Sequence, residues 1–180
     1  MATISGLMTV EQFWQLPEGE PFQYELHHGE LVKVSRPKLR HIRIQYRLQK
    51  LLERIFGPQQ IVVVELPFRA LPEFELRAAD VAVLARERWE QADDDDVVHG
   101  APEIVIEVLS RSNTVSEIAE YCALCLENGS REFWTVDSNR REIKVSTPDG
   151  LTRTYKSGDS IPLTLAGDQT LAVDAVFAIE

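Results

Sequence analysis

The sequence predicts an α/β protein of the mixed α+β kind: a mixed β-sheet flanked by helices, with an N-terminal hairpin. Three observations carry that expectation. Segments of period two and period 3.6 interleave along the chain instead of separating into halves. Three strand-like runs are nearly all β-branched or aliphatic, as in strands covered on both faces. No segment repeats, and the composition lies near the globular average, which excludes disordered, collagenous and coiled-coil chains. At 180 residues the expected organisation is one domain, 1–180, with one real core.

The elements follow in order. Thr9-Val10-Glu11-Gln12 has the form of a capping box and opens a short helix through Phe13 and Trp14, stopped by Pro17, Gly19 and Pro21. Residues 22–26 and 30–34 alternate in polarity about the turn His27-His28-Gly29, which makes a hairpin. From 38 to 56 the period becomes 3.6, with Leu39, Ile42, Tyr46, Leu48, Leu52 and Ile55 as the expected apolar stripe and Gly57-Pro58 as the stop. Arg43, Arg47, Lys50 and Arg54 recur at spacings that line one exposed face of this helix.

Strands are expected over 61–66, 79–84 and 104–109, with a helical turn over 86–91 and an acidic loop over 93–96 between the last two. Asn113 or Thr114 caps a helix that runs to Asn128-Gly129, where glycine suits the residue after the C-cap. Residues 133–136 and 142–145 form strands about the turn 137–140, and the tail reads as short strands and turns.

Charge and motifs narrow the function. Two cysteines make no disulfide framework, and no apolar run is long enough to cross a bilayer. Residues 1–6 show neither the basic nor the apolar region of a secretory leader, so the expectation is a cytoplasmic protein without a membrane partner. The chain carries −10 overall, yet residues 33–54 hold eight bases against the single acid Glu53. That segment is where a polyanion would touch an otherwise acidic surface. The Walker A loop, G-x-G-x-x-G, G-x-S-x-G and H-E-x-x-H are all absent.

Asp80 and Glu107 each sit inside an apolar strand. A carboxylate there is costly unless it pairs or holds a cation, and two neighbouring carboxylates are relieved by a divalent ion; solvent exposure or an arginine such as Arg77 is the plainer alternative. His41 lies in the first turns of the basic helix beside Arg40 and Arg43, placed to orient a phosphate or a water, or else to cap the helix. Cys122-Ala123-Leu124-Cys125 is a C-x-x-C well inside its helix with no second ligand pair, and reads as core filling. Glu142-Ile143-Lys144 after Asp137 spans only a hairpin and reads as cross-strand surface pairing.

Several blocks in order carry a resemblance: Tyr24-Glu25-Leu26-His27-His28-Gly29-Glu30-Leu31; His41 leading a helix; Asp80-Val81-Ala82-Val83; Pro102-Glu103-Ile104-Val105-Ile106-Glu107-Val108-Leu109-Ser110; and Gly129-Ser130-Arg131-Glu132-Phe133-Trp134-Thr135-Val136-Asp137. Together they resemble the Uma2 family (DUF820), restriction-endonuclease-like proteins of the PD-(D/E)XK nuclease superfamily. The resemblance implies a restriction-endonuclease-like sheet and a metal-dependent endonuclease acting on DNA more than on RNA. It also implies a Mg²⁺ or Mn²⁺ site on Asp80 and Glu107, which His41 and Tyr121 would assist, and the basic helix itself offers Arg40, Arg43 and Arg47 as phosphate contacts. A homodimer is compatible with it, since nucleases of this superfamily often pair to cut two strands.

The chain departs from the family pattern in several places. Ala79 stands where the pattern has proline before Asp80, Val108-Leu109 follow Glu107 with no lysine in the usual third position, and Tyr121 and Cys125 stand where, counting back from Gly129, the family's helix carries lysine and tyrosine. A neutral phenol donates a hydrogen bond but supplies no charge to a phosphate, a loss of about 10²–10³ in rate. Two readings stay open: a nuclease of reduced activity, and an inactive nuclease fold that binds nucleic acid or protein.

Overall fold

The computed structural model describes residues 6–17, 23–34 and 36–178. The expected helix stops at Gly19 and Pro21 and the expected strand residue Phe22 lie outside the described residues, as do residues 1–5 of the N-terminal reading.

Helix α1 (Val10–Phe13) begins at the capping box, with the Thr9 hydroxyl accepting from Gln12 N and the Gln12 side chain accepting from Thr9 N. Strands β1 (Gln23–His27) and β2 (Glu30–Val34) pair antiparallel, closing where His27 faces Glu30. His28 (φ +49°) and Gly29 (φ +78°) make the two-residue turn. Positive φ at both positions matches the twist of the flanking strands. A side chain at Gly29 would also collide with Leu7, whose Cβ lies 2.6 Å from where a Cβ would stand. The hairpin packs on Met8, Val10 and Leu76 through Leu26.

The main sheet has seven strands: β3 (Gln60–Arg69), β4 (Arg77–Ala85), β5 (Val98–His99), β6 (Ile104–Val108), β7 (Glu132–Asp137), β8 (Glu142–Ser146) and β9 (Thr152–Tyr155). Their spatial order is β5-β3-β4-β6-β7-β8-β9. β6 and β7 run parallel, joined through α4 (Val115–Glu127), and the other long pairs are antiparallel. Helix α2 (Leu39–Phe56) covers one face, and α4 covers the other. A short helix α3 (Arg86–Gln91) follows β4, and the tail adds β10 (Ser160–Pro162), β11 (Thr170–Ala172) and α5 (Val173–Val176).

On the α2 face, Ile44, Leu48, Leu52 and Phe56 meet Val62, Val81, Val83, Ile104, Ile106 and Trp134. Truncating a fully buried member such as Leu48 to alanine costs ~2–5 kcal/mol. On the α4 face, Tyr121, Leu124 and Cys125 meet Phe68, Ala82, Leu84, Val105 and Phe133. Cys125 is core, as its spacing suggests, and burial pushes its thiol far up. Thr114, not Asn113, caps α4, in a second capping box with Glu117.

The α2 stripe is a correction. Leu48 and Leu52 are buried, but the helix turns Ile44, Gln45 and Phe56 inward as well, leaving Leu39, Ile42 and Tyr46 exposed and Ile55 half-buried. Apolar residues occur on both sides of α2, and the inward side is the one that also delivers His41 and Gln45 to polar partners on the sheet.

Candidate functional site

The site forms where β3 and β4 change the way they face, beside β6. Register continued along β3 and β4 puts Glu65 opposite Asp80, but the ladder skips that pair, running to Val64 with Val81 and resuming at Leu66 with Ala79. Glu65 stands in the left-handed region at φ +53°, a conformation that costs a non-glycine residue ~1–3 kcal/mol and gathers at functional sites. Both strands turn over here. Val62, Val81 and Val83 pack on the α2 face, whereas Leu66, Phe68 and Ala79 pack with the α4 face. Register continued from β4 to β6 brings Asp80 level with Glu107.

Asp80 is held from three directions. His41 Nε2 lies 2.8 Å from Asp80 Oδ1, Gln45 Nε2 donates to the same oxygen at 3.0 Å, and the Val108 N–H donates to Oδ2 at 2.6 Å. His41 and Gln45 are four residues apart on α2 and therefore share its inward side. Gln45 Nε2 also donates to Glu65 Oε1, so one amide bridges two carboxylates. Ligand atoms of His41, Glu65 and Asp80 all lie within 4.8 Å of one another.

Two further acids complete the cluster. Glu25 on β1 accepts from the Ala78 N–H through Oε1 at 3.1 Å, and its Oε2 lies 2.6 Å from His27 Nε2. Glu107 is partly buried, on the side of β6 away from Ile104, Ile106 and Val108. Burial first, then the charges of Asp80, Glu25 and Glu65, hold its carboxyl well above the ordinary range, with Arg77 opposing. Glu65 is also raised, by loss of water around its carboxyl and by Asp80 and Glu25, against the pull of Gln45 and His41. The four acids thus repel one another in a place that favours a cation.

The donor set fits a divalent metal. Carboxylate oxygens from Glu65 and Asp80 suit hard ions such as Mg²⁺ and Mn²⁺, and an added imidazole suits Mn²⁺ better. The sequence-expected pair was Asp80 with Glu107. The atoms that converge are those of Asp80 with His41 and Glu65, while Glu107 stands on the neighbouring strand with its carboxyl raised in part by the charge of Asp80.

Tyr121 is buried between Phe68 (ring centroids 6.3 Å) and Phe133 (5.3 Å), with the Arg77 guanidinium 5.0 Å from its ring centre. Its hydroxyl donates to the Ala78 carbonyl at 3.3 Å, and burial raises its pKa well above that of a free phenol. From α4 its hydroxyl thus reaches β4 at Ala78, two positions from Asp80. Arg77 is held by Glu75 and by both oxygens of Glu120, so its charge is matched within that network.

Of the basic residues, Arg43 is exposed and Arg40 is exposed with a bond to Asn139 Oδ1. Arg47 is half-buried and donates to the Val176 carbonyl at 3.2 Å. Sequence reasoning did not single out Glu65 or Gln45. Glu65 carried the signal used for Asp80 and Glu107, an acid ending an apolar run, and Gln45 stands one turn beyond His41.

Together, the sheet, its two covering helices and the acid cluster where strands turn over define a restriction-endonuclease-like fold. The chain belongs to the Uma2 family, described as "Putative restriction endonuclease", whose model matches residues 10–174. A solved structure described as "a putative nuclease belonging to DUF820 from Anabaena variabilis ATCC 29413" superposes with a TM-score of 0.81 at 21% identity, covering 94% of this chain and 97% of that one. No curated protein matches the chain. Among the described residues, no helix is long and apolar enough to cross a membrane.

Proposed function

We propose that this chain is a divalent-metal-dependent endonuclease of the PD-(D/E)XK type that hydrolyses phosphodiester bonds, with DNA as the preferred substrate. The carrying observation is the convergence of His41, Glu65 and Asp80 within 4.8 Å, under the field of Glu25 and Glu107. His41, Glu65 and Asp80 would hold Mg²⁺ or Mn²⁺, with Glu107 as the neighbouring acid. When bound, such an ion polarises a phosphoryl oxygen and makes water a better nucleophile.

The chain's own residues set the geometry. The Val108 N–H and Gln45 fix both oxygens of Asp80, so the carboxylate cannot rotate away. The hydrogen bond between His41 Nε2 and Asp80 Oδ1 orients the imidazole toward the acids. Arg40 and Arg43 supply phosphate contacts on the exposed side of α2, positioning the polyanion without reading its sequence; Arg47 joins them by releasing Val176.

Plasmid and single-stranded DNA offered with Mn²⁺ or Mg²⁺ test the proposal. Wild type nicks them, EDTA abolishes nicking, and Asp80→Ala lowers the rate about 10³-fold, as loss of a group that stabilises transition-state charge does. Cleavage that survives EDTA or Asp80→Ala contradicts the proposal.

Tyr121 favours a second reading. A buried phenol bonded to a backbone carbonyl, at the place where the family resemblance expects lysine, leaves the site without that cation. On this reading the fold binds nucleic acid without cutting it. It predicts salt-sensitive binding that Arg40→Gln and Arg43→Gln weaken, with no nicking under any divalent metal.

A further inference from the structure

Helix α2 carries a surface patch that neither the core nor the acid site accounts for. Leu39, Ile42 and Tyr46 are 61%, 45% and 54% exposed, on a helix that buries Ile44, Leu48, Leu52 and Phe56. Leu39, Ile42, Arg43, Tyr46 and Lys50 each lie three or four residues from another of the five, so they share one side of the helix. Arg43 is exposed, and the Lys50 ammonium stands 4.4 Å from the centre of the Tyr46 ring. A single exposed leucine is ordinary, but three apolar side chains set beside two cations mark a surface that meets something.

The patch flanks the acid site. His41 and Gln45, which reach Asp80, stand one residue, or about 100° of helix, from Ile42 and Tyr46. Hydrogen bonds fix the side. Gln49 donates to the Val62 carbonyl on β3, whereas Arg47 and Arg40 reach Val176 and Asn139 on the far side of α2. Ile42 and Tyr46 therefore fall on the β3 side, where Gln45 bonds Glu65. Along the helix axis Tyr46 is only about 7.5 Å from His41. Glu53, two turns beyond Tyr46 and exposed, ends the strip with a negative charge.

Resting on the reading that the acid site takes a nucleic acid, we infer that this patch is a stacking platform for an unpaired DNA strand. A base lies on the Tyr46 ring against Ile42 and Leu39, phosphates meet Arg43 and Lys50, and the site takes single strands in preference to duplex. Inside a duplex the faces of the bases are covered by their neighbours, and its outside offers phosphates and groove edges to hydrogen-bond donors. Leucine and isoleucine gain nothing there. An unpaired base has an open face, and an aromatic ring among cations holds it whatever its identity. The chain carries −10 overall, yet residues 33–54 hold eight bases against one acid, so this side of α2 attracts a polyanion where most of the surface repels one. Lys50 steadies the ring by its cation–π contact and leaves much of Tyr46 open. A base held there leaves the neighbouring phosphate on the Glu65 side of α2, beside the acids.

Fluorescence anisotropy of an end-labelled DNA oligonucleotide of about 15 nucleotides, alone and annealed to its complement, tests the platform in EDTA at several salt concentrations. Wild type binds the single strand at least about tenfold more tightly than the duplex. Tyr46→Ala, with unchanged circular dichroism, weakens single-strand binding about 5–150-fold, the range for one base on one ring, and leaves the salt slope and the duplex affinity as they were. Tyr46→Phe keeps the wild-type affinity, because the ring and not the hydroxyl makes the contact. Arg43→Gln instead lowers the salt slope by about 0.7, as loss of one phosphate contact does. Duplex bound as tightly as the single strand, Tyr46→Ala equal to wild type, Tyr46→Phe as weak as Tyr46→Ala, or an unchanged slope in Arg43→Gln each overturns the platform while the nuclease reading stands. A wild type that binds neither form overturns the nucleic-acid reading and the platform together.

Discussion

The two faces of the main sheet hold their charges with different partners: α2 brings an imidazole and an amide to Asp80, and α4 brings Glu120 to the buried Arg77. On the α2 face the covering helix turns His41 and Gln45 toward Asp80, and their hydrogen bonds keep a carboxylate in place inside an apolar layer. On the α4 face the position nearest in kind is Tyr121, which packs between two phenylalanines and gives its single donor to the backbone. On one face His41, Glu65 and Asp80 converge as a cation would need; on the other an aromatic ring packs where the family resemblance expects lysine, with the Arg77 guanidinium 5.0 Å from its centre. The acids are fixed by strand register and by the turnover at Glu65, whereas a helix residue can be exchanged for any side chain that fills the same volume.

The largest expected change comes from restoring charge to the α4 face. Tyr121→Lys should raise cleavage by about 10²–10³-fold if the missing cation limits the rate, while its melting temperature falls because the stacked ring is lost. A rate unchanged from wild type would show that the phenol is not the weak point. Next is the amide that joins both faces of the cluster. Gln45→Ala frees Glu65 and Asp80 from their shared donor and should weaken Mn²⁺ binding by about 10–100-fold, the usual scale for a residue that orients metal ligands. Calorimetric titration checks it, and an unchanged affinity would remove Gln45 from the site.

The smallest effect concerns stability. Glu107 has a carboxyl raised above its unfolded value, so the folded state binds the proton more tightly and favours the neutral form. Stability of the metal-free protein should therefore fall as pH rises from the unfolded glutamate range, near pH 4.3, through the raised folded value. Glu107→Gln should flatten that fall and raise the melting temperature at neutral pH by a few degrees, the scale set by about 1 kcal/mol in a chain of this size. Scans at several pH values, without metal, separate this outcome from a merely structural role, which would lower the melting temperature at every pH.

Much of this was legible in the sequence, for identifiable reasons. Both capping boxes use side chains whose partners lie three residues away, so local spacing is enough to find them. Asp80 and Glu107 stood out because an acid in an apolar strand demands an explanation. The face of α2 was harder. Leu39, Ile42 and Tyr46 obey the helical period as well as Ile44 and Phe56 do, and only the sheet beneath decides which set is covered. Glu65 was hidden for a different reason: its place in the cluster depends on a left-handed backbone and a skipped ladder pair, which no side-chain pattern encodes.

The central claim, that the acids at the turnover of β3 and β4 hold a divalent ion, is tested most directly by titrating Mn²⁺ into metal-free protein, wild type beside Glu65→Gln. Wild type should bind saturably, and the variant at least about tenfold more weakly. Equal affinities, or no binding by wild type, would contradict it.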